Sequence, residues 1–136
     1  MELQITNCPN QEDDDFVINK TREYNDQFIT RDPEALSIYF RNESNDIIAG
    51  LTGKSYFAWL HIDFLWVDEN HREHKLGSKL MAQAEKEAIK RNCNGITLDT
   101  FSFQARGFYE KMGFEVCGEI AGYAQGHTRF YLKKVL

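Results

Sequence analysis

The segment from Val67 to Leu80 carries the residues whose types best suit the binding of an anion. It reads VDENHREHKLGSKL and gathers Arg72, Lys75, Gly77 and Ser78 directly before an apolar stripe with helical spacing. Where a strand leads through a loop into a helix, unpaired backbone N–H groups and the positive end of the helix dipole meet at one place. The segment therefore predicts a phosphate or pyrophosphate site, although a basic loop before a helix is more often plain solvated surface.

Two ionisable side chains, His61 and Asp63, interrupt the apolar strand predicted from Phe57 to Val67. The side chains of a strand point alternately to its two faces, so His61 and Asp63 share one face. An imidazole beside a carboxylate suits proton transfer, whereas a structural hydrogen-bonded pair is the alternative. A backbone bulge would change this assignment of faces. The predicted faces are Leu60, Ile62, Phe64 and Trp66 on one side and Trp59, His61, Asp63, Leu65 and Val67 on the other.

Two further patterns look like known sites but do not meet their requirements. The segment Thr52-Gly53-Lys54-Ser55 matches the end of a nucleotide P-loop, but Ile48 stands where the first glycine is required, and a strand follows instead of a helix. His71 and His74 lie in a polar loop with no third ligand nearby. We therefore expect a turn at the first pattern and no metal site at the second.

Length and composition predict a single domain over residues 1–136. The chain is 42% hydrophobic and 27% charged, which is too apolar for a disordered chain and normal for a globular one. Its net charge of -5 disfavours nucleic acid and mildly favours a cationic partner. No apolar run is long enough to span a membrane and the acidic start does not resemble a signal peptide, so we expect a cytoplasmic location and no membrane partner. The cysteines form no CxxC pair and are expected to be reduced: Cys8, Cys93 and Cys117.

The order of predicted elements indicates an α+β fold, with a mixed and mainly antiparallel sheet flanked by helices. A parallel strand–helix–strand unit is expected around the long helix, because such crossovers join parallel strands. A turn is predicted from Gly53 to Tyr56. The predicted strands are Leu3 to Thr6, Leu36 to Arg41, Ile47 to Thr52, Phe57 to Val67, Ile96 to Phe101, Phe114 to Ile120 and Arg129 to Lys133. The predicted helices are Asp13 to about Phe28, Leu76 to Arg91 and Gln104 to Met112.

Two blocks of the chain resemble the two signatures of the GNAT acetyltransferases. LWVDENHREHKLGSKLM is similar to the acetyl-CoA motif of that family, and FSFQARGFYEKMGFE is similar to its second signature, a helix beside the cofactor. The two stand in the right order and about one helix and one strand apart. The matching residues are Leu65, Val67, Arg72, Gly77, Ser78 and Leu80 in the first block and Ala105, Phe108, Tyr109, Gly113 and Phe114 in the second.

Two positions depart from the family pattern. Lys75 stands where the first motif usually has a glycine, so it either adopts a positive φ under strain or has ordinary backbone geometry and contacts phosphate; a lysine pointing into solvent is the third alternative. Ser102 stands where the second block often has an asparagine that contacts the cofactor. These departures leave open a non-catalytic CoA-binding module.

The resemblance implies the GNAT fold and transfer of an acetyl group from acetyl-CoA to a primary amine of a small molecule, by direct attack in a ternary complex. A lysine or N-terminal amine of a protein or peptide is the alternative acceptor. Tyr109 matches the tyrosine that protonates the CoA sulfur in many relatives. His61 ranks first as the base, because imidazole titrates near neutral pH; Asp63 could orient it, bind a cationic substrate or act as the base.

The resemblance also implies a cofactor site, and a substrate site is expected between the first helix, the hairpin and the C-terminal strands. Exposed aromatic C-terminal strands, including Phe130 and Tyr131, leave room for a homodimer. The expected cofactor contacts are Leu65, Trp66, Val67, Arg72, Glu73, His74, Lys75, Leu76, Gly77, Ser78, Ser102, Ala105, Phe108 and Tyr109. The candidate substrate contacts are Tyr24, Asn25, Tyr56, Tyr123 and His127.

Overall fold

The computed structural model describes residues 1–136, which form two compact units, Met1–Arg31 and Asp32–Leu136. The first unit contains helix α1, Gln11–Asn25. The side chain of Asn10 caps this helix by accepting hydrogen bonds from the backbone N–H groups of Glu12 and Asp13. The predicted strand from Leu3 to Thr6 is wrong, because these residues pair with none of the strands of the sheet and a strand requires such a partner.

The second unit is a six-stranded sheet with the order β1-β2-β3-β4-β6-β5. Only β3 and β4 are parallel, and helix α2 connects them, so the predicted mixed, mainly antiparallel sheet and its parallel crossover are confirmed. None of the chain's helices combines the length and hydrophobicity needed to cross a bilayer. The bounds are β1 Glu34–Arg41, β2 Ile47–Tyr56, β3 Trp59–Val67, α2 Leu76–Lys90, β4 Gly95–Phe101, α3 Arg106–Lys111, β5 Glu115–Tyr123 and β6 His127–Val135.

Helix α2 covers one face of the sheet with the apolar stripe that its sequence predicts. Residues four apart in a helix lie on one face, and the side chains at this spacing are buried together with Met81. They belong to the same core as the inward side chains of β2, β3, β4 and β6, including Leu51, Leu60, Ile96 and Leu132. The stripe consists of Leu76, Leu80, Ala84 and Ala88. This packing fixes the start of α2 beside the end of β3.

The hairpin between β2 and β3 differs from the prediction at its turn. Strand β2 continues to Tyr56, and the chain reverses at Phe57 and Ala58, whose φ angles are 50° and 65°. A two-residue turn with both residues in the left-handed region matches the twist of the flanking strands, which outweighs the cost of the side chains there. The predicted turn from Gly53 to Tyr56 and the strand start at Phe57 are therefore wrong.

A β-bulge at Asp63 reverses the faces of the second half of β3. Thr52 pairs with Phe64 while Gly53 pairs with Ile62, so Asp63 is an extra residue without a partner. Gly53 suits this site, because a Cβ there would overlap the carbonyl oxygen of His61. The bulge brings a polar side chain to the strand edge and shifts every later side chain by one face.

The predicted apolar face of β3 is wrong as a consequence of this bulge. Before the bulge Leu60 and Ile62 are buried, but after it Leu65 and Val67 pack against the core instead. Phe64 and Trp66, which the alternation placed with Leu60, are 77% and 53% exposed. Alternation with period two holds only while pairing is regular.

Pairing between the parallel strands β3 and β4 covers only three residues of each strand. The last rung joins His61 to Thr97, and beyond it β3 runs on to Val67 and β4 to Phe101 without pairing to each other. We call this point the fork. Past it, one edge of β3 has its backbone groups free of any strand partner, which is the position where an extended ligand can add to a sheet.

Candidate active site

A cavity of about 610 Å³ opens at the fork, between β3, the start of α2, β4 and α3. Three kinds of groups line it: the strand ends, the basic loop, and one face of α3. It brings together most of the residues predicted to contact a cofactor, and Asp63 as well. Its lining is Ile62, Asp63, Phe64, Leu65, Trp66, Val67, Arg72, Lys75, Gly77, Ser78, Leu98, Asp99, Thr100, Gln104, Ala105, Phe108 and Tyr109.

The end of the cavity formed by Arg72 to Ser78, which we call the loop end, presents backbone donors. A 3₁₀ turn over Glu69–His74 leads directly into the 15-residue helix α2, and no side chain caps the first turn of that helix. The residue before this turn is fixed to β2, because the Asp68 N–H donates a hydrogen bond to the Ile48 carbonyl at 2.8 Å. Free N–H groups and the helix dipole favour a phosphate here.

The residues at the loop end match the size and charge of a diphosphate group. A Cβ on Gly77 would stand 3.3 Å from a ring carbon of Phe108, so a larger residue would intrude on the cavity wall. Arg72, Lys75 and the hydroxyl-bearing Ser78 line the same end. Cationic and hydroxyl donors around unpaired amides match the oxygen-rich surface of a diphosphate. The residues present therefore fit the pyrophosphate of CoA.

Lys75 adopts the strained alternative among those predicted for it. Its φ is 54° and its ψ 35°, which is the left-handed region, at the junction between the 3₁₀ turn and α2. A non-glycine residue pays about 1–2 kcal/mol for this conformation. Its side chain also lines the cavity, so the same residue carries both the strain and a charge at the loop end.

Four of the residues predicted to contact a cofactor lie outside the cavity lining. Leu76 is buried in the core at 7% exposure, since its side chain starts the apolar stripe of α2. Glu73 and His74 are exposed residues of the 3₁₀ turn. The hydroxyl of Ser102 contacts the Nδ1 of His127 at 2.8 Å and accepts from the Thr128 N–H at 3.1 Å, so it is occupied by the neighbouring strand.

Tyr109 lies on α3 and reaches the cavity from a largely apolar setting. Burial raises the pKa of its phenol above 10.0, and the nearby charge of Asp99 raises it further. Its ring makes edge contacts with Phe108 and Phe114, with centroids 5.1 and 6.0 Å away. A buried phenol that keeps its proton at neutral pH is suited to donating it, and the same ring contacts also make it part of the core.

The turn before α3 is held by side chains that the sequence did not single out. The side-chain oxygen of Gln104 accepts from the Phe101 N–H at 2.8 Å, and the Thr100 hydroxyl donates to the same oxygen at 3.2 Å. Thr100 and Gln104 both line the cavity. These bonds orient the start of α3 relative to β4 and thereby position Tyr109.

His61 and Asp63 lie close together, as predicted, but are not tightly paired. The Nε2 of His61 is 3.7 Å from a carboxylate oxygen of Asp63, while its Nδ1 lies 2.8 Å from the Thr97 hydroxyl across the last rung of the fork. The bulge places Asp63 in the cavity lining, and His61 stands behind it. Either group can accept a proton, directly or through a water molecule between them.

Asp99 is a cavity residue that the sequence reasoning missed. Its two carboxylate oxygens accept from Nε and Nη2 of Arg129, at 3.2 and 3.0 Å. Hydrogen bonds to Asp99 and then to Tyr123 raise the pKa of Arg129, so its guanidinium stays charged. A carboxylate in the middle of the strand predicted from Ile96 to Phe101 was the signal available. We call the wall formed by Asp63 and Asp99, with His61 behind it, the carboxylate end of the cavity.

The candidate substrate residues are distributed over several places. Tyr24 and Asn25 belong to α1 in the first unit. Tyr56 lies in the β2–β3 hairpin, paired with Trp59 at the far end of β3 from the loop. Tyr123 and His127 flank the β5–β6 connection outside the cavity lining, where Tyr123 contacts Arg129. Their roles remain predictions.

Comparison with known families identifies similar proteins along most of the chain. The model of the acetyltransferase (GNAT) family matches residues 3–114. Blasticidin-S acetyltransferase of Streptomyces morookaense is 38% identical over 104 residues, which is 76% of each chain. An acetyltransferase of Agrobacterium fabrum is 35% identical over 108 residues, which is 79% of each chain.

Solved structures agree with this similarity. An acetyltransferase from Bacillus cereus has a TM-score of 0.89 and 36% identity, with 98% of both chains covered. A Bacillus anthracis protein assigned as a streptothricin acetyltransferase was crystallised in complex with acetyl-CoA; it has a TM-score of 0.68 and 26% identity, with 82% of this chain and 67% of that one covered.

Proposed function

Because this chain belongs to the GNAT family of acetyltransferases, we propose that it moves the acetyl group of acetyl-CoA to a primary amine of a small molecule by direct attack in a ternary complex. The chain is an acetyl-CoA-dependent N-acetyltransferase. The observation that supports the specific reaction is the cavity at the fork, which is lined by Arg72, Lys75 and Ser78 at its loop end and by Asp63 and Asp99 at its carboxylate end. A thioester and a cationic amine can therefore meet between the two ends.

The loop end and β3 would hold the cofactor. Acetyl-CoA supplies an acetyl group activated as a thioester. The first-turn N–H groups of α2, with Arg72 and Ser78, would bind the diphosphate, and the free edge of β3 at Leu65 and Val67 would pair with the extended arm as an added strand does. Binding along a rigid strand edge orients the reacting carbonyl without any side-chain chemistry.

The carboxylate end would neutralise the amine. An alkyl amine has a pKa near 10.4, so only one molecule in ~10³ is neutral and nucleophilic at pH 7. His61 is our first candidate for the base that takes the proton, and Asp63, which lies between His61 and the cavity, would relay it or accept it directly. The Thr97 hydroxyl at Nδ1 would fix the orientation of the imidazole.

Tyr109 would donate the proton that the departing thiolate needs. Its raised pKa keeps the phenol protonated at neutral pH, which is the state required of a general acid. The aromatic contacts with Phe108 and Phe114 restrict the ring of Tyr109, which lines the cavity. The carboxylate end would thus accept a proton from the amine, and Tyr109 would deliver one to sulfur.

A panel of acceptors tests the proposed reaction. The protein is mixed with acetyl-CoA and either blasticidin S, streptothricin, a linear polyamine or a lysine peptide, and free thiol is followed. We include the first two because relatives of this chain are named for them. Thiol release with small amines above the peptide is the expected result. Release with the peptide alone would favour a protein acceptor, and tight binding of acetyl-CoA with no release for any amine would favour a non-catalytic module.

Two further predictions concern the location and the assembly of the protein. The cytoplasm remains our predicted location, and a homodimer remains the predicted assembly. Sedimentation of the purified chain over a range of concentrations measures its oligomeric state directly. A single species at the mass of 15.9 kDa at all concentrations would contradict the homodimer.

A further inference from the structure

Two aspartates line the cavity from different strands at the fork. Asp63 on β3 and Asp99 on β4 each follow the last shared rung, His61 with Thr97, by two residues. Both line the same cavity. Their side chains are 34% and 24% exposed, so each is accessible to a ligand but partly shielded from solvent. Shielding strengthens the interaction of a carboxylate with a cation.

Asp99 is held in one orientation from behind. Its partner Arg129 uses two nitrogens on the carboxylate and a third, 3.4 Å away, on the hydroxyl of Tyr123. The guanidinium also lies over the rings of Phe101 and Tyr131, at 5.5 and 5.1 Å. Two hydrogen bonds from one guanidinium fix the plane of the carboxylate and leave the remaining lone pairs of each oxygen free.

The charges at the carboxylate end favour a cation. Arg129 is outside the cavity lining. The cationic residues that do belong to the lining, Arg72 and Lys75, are at the loop end. Asp63 has only a loose contact with His61, and Asp99 has Arg129 as its single ion-pair partner. An acceptor that enters the cavity at the fork therefore meets an acidic residue on each of the two strands.

One reacting nitrogen does not need both carboxylates. The amine must lose its positive charge before it attacks, so the carboxylate near the base helps only until the proton leaves. A contact that persists from the ground state to the transition state must be made with a part of the acceptor that stays charged, and such a contact lowers KM without changing kcat. The candidate base His61 is on β3, whereas Asp99 is on the neighbouring strand β4. Asp99 is therefore suited to contact a part of the acceptor that stays charged.

Resting on the proposed function, we propose that Asp99, positioned by Arg129, determines specificity by binding a second cationic group of the acceptor. The preferred acceptors are then amines that carry at least two positive charges. Asp99 acts on the substrate through direct contact, and Arg129 acts through Asp99 as a positioning residue.

Two acceptors with the same four-carbon chain test this inference. We compare 1,4-diaminobutane with 1-aminobutane, which lacks the second ammonium, and measure kcat and KM for each. A hydrogen bond to a charged group contributes about 1.5–3 kcal/mol, so Asp99→Asn is expected to lower the preference for the diamine, as the ratio of kcat/KM values, by roughly tenfold or more. The loss should appear in the KM of the diamine.

Matched variants separate binding from folding. Asp46→Asn makes the same change in the exposed turn between β1 and β2 and should keep the wild-type preference. Arg129→Gln should lower the preference less than Asp99→Asn does, and Arg129→Lys should restore part of it. Asp99→Glu retains the negative charge, so it tests the proposal if Asp99→Asn fails to fold. A preference for the diamine that persists in Asp99→Glu and falls with added salt supports the proposal. A preference unchanged in Asp99→Asn, or independent of salt in the wild type and Asp99→Glu, overturns it.

The outcome also distinguishes this inference from the proposed function. If the wild type releases no thiol with any amine, the proposed function fails, and calorimetric binding of 1,4-diaminobutane to the protein in the presence of CoA then decides the inference. Weaker binding by Asp99→Asn than by Asp46→Asn supports it. Equal binding by the two variants overturns it.

Discussion

The two ends of the cavity are built from different parts of the chain. At the loop end the main donors are backbone N–H groups at the start of α2, and Gly77 contributes by having no side chain. At the carboxylate end the groups are the side chains of Asp63 on β3 and Asp99 on β4, and Arg129 on β6 holds Asp99 in place. One end depends on the conformation of a short continuous segment, and the other depends on how distant strands are aligned.

This difference has consequences for substitution. Backbone groups remain in place when a neighbouring side chain is replaced, so the loop end should tolerate most single changes and lose only part of its affinity. Side-chain groups are removed outright by a single substitution, so the carboxylate end and Tyr109 should respond strongly. The predictions below test this contrast, beginning with the largest effect.

Removal of the Tyr109 hydroxyl should give the largest loss. Tyr109→Phe keeps the ring contacts with Phe108 and Phe114 but removes the proton donor, so turnover should fall by roughly 10²–10⁴-fold with little change in acetyl-CoA affinity. Steady-state kinetics and calorimetric binding measure the two quantities. Tyr39→Phe makes the same change on the edge strand β1 and should have no effect. Wild-type turnover in Tyr109→Phe would remove this residue from the chemistry.

Disturbing the bulge should affect both activity and stability. In Gly53→Ala the new Cβ overlaps the carbonyl oxygen of His61, so β2 and β3 must shift apart where Asp63 enters the cavity. A shift of that size costs about 1–3 kcal/mol of unfolding free energy, and misplacing His61 and Asp63 should lower kcat by roughly 10²-fold.

Gly118→Ala is the matched control for this variant. Gly118 lies in β5, and a Cβ there has no neighbour within 4 Å, so its substitution should leave the urea unfolding midpoint and kcat near their wild-type values. If Gly53→Ala unfolds at the same urea concentration as Gly118→Ala and is equally active, the bulge does not position these groups.

At the loop end, Lys75→Gly should cause a smaller change. Glycine relieves the left-handed strain of about 1–2 kcal/mol, while its greater freedom in the unfolded chain offsets part of that gain. Loss of the ammonium should weaken acetyl-CoA binding a few-fold at low salt and little at high salt, because salt screens the charge. Asn92→Gly is the control, since Asn92 also has a left-handed φ, 59°, but is not part of the cavity. Affinity that is unchanged at low salt would show that the Lys75 ammonium does not contact the phosphate.

The smallest expected effect is on the pH profile. The negative charge of Asp99 opposes ionisation of Tyr109 and thereby adds to the rise in its pKa that burial causes. Asp99→Asn should lower the pKa of Tyr109, so the alkaline loss of kcat should begin at a lower pH than in the wild type. An alkaline limb that stays in place would show that Tyr109 is not the group whose ionisation stops the reaction.

The loop, the long helix and the Tyr109 helix could be predicted because their signals are local. Arg72, Gly77 and Ser78 stand close together in the chain, and α2 shows its buried stripe at a spacing of four. Helical periodicity and motif spacing depend only on neighbouring residues. The family assignment followed from these segments, and comparison with related proteins confirmed it.

The faces and turns of the strands were predicted less accurately, because they depend on pairing with strands elsewhere in the chain. The faces of β3 depend on the pairing of Thr52 and Gly53 around Asp63, and the turn at Phe57 and Ala58 contains no glycine to mark it. A bulge or a register shift leaves no periodic trace in a single strand.

By itself the sequence therefore determined the class of reaction, the position of Tyr109 on its helix and the segment that we predict to bind phosphate. Only the tertiary structure decided which side chains share the carboxylate end: the bulge turned Asp63 into the cavity, and the pairing of β4 with β6 brought Arg129 to Asp99, 30 positions away in the chain. The physical reason is that backbone sites arise within one continuous segment, whereas side-chain sites require long-range pairing to align separate strands.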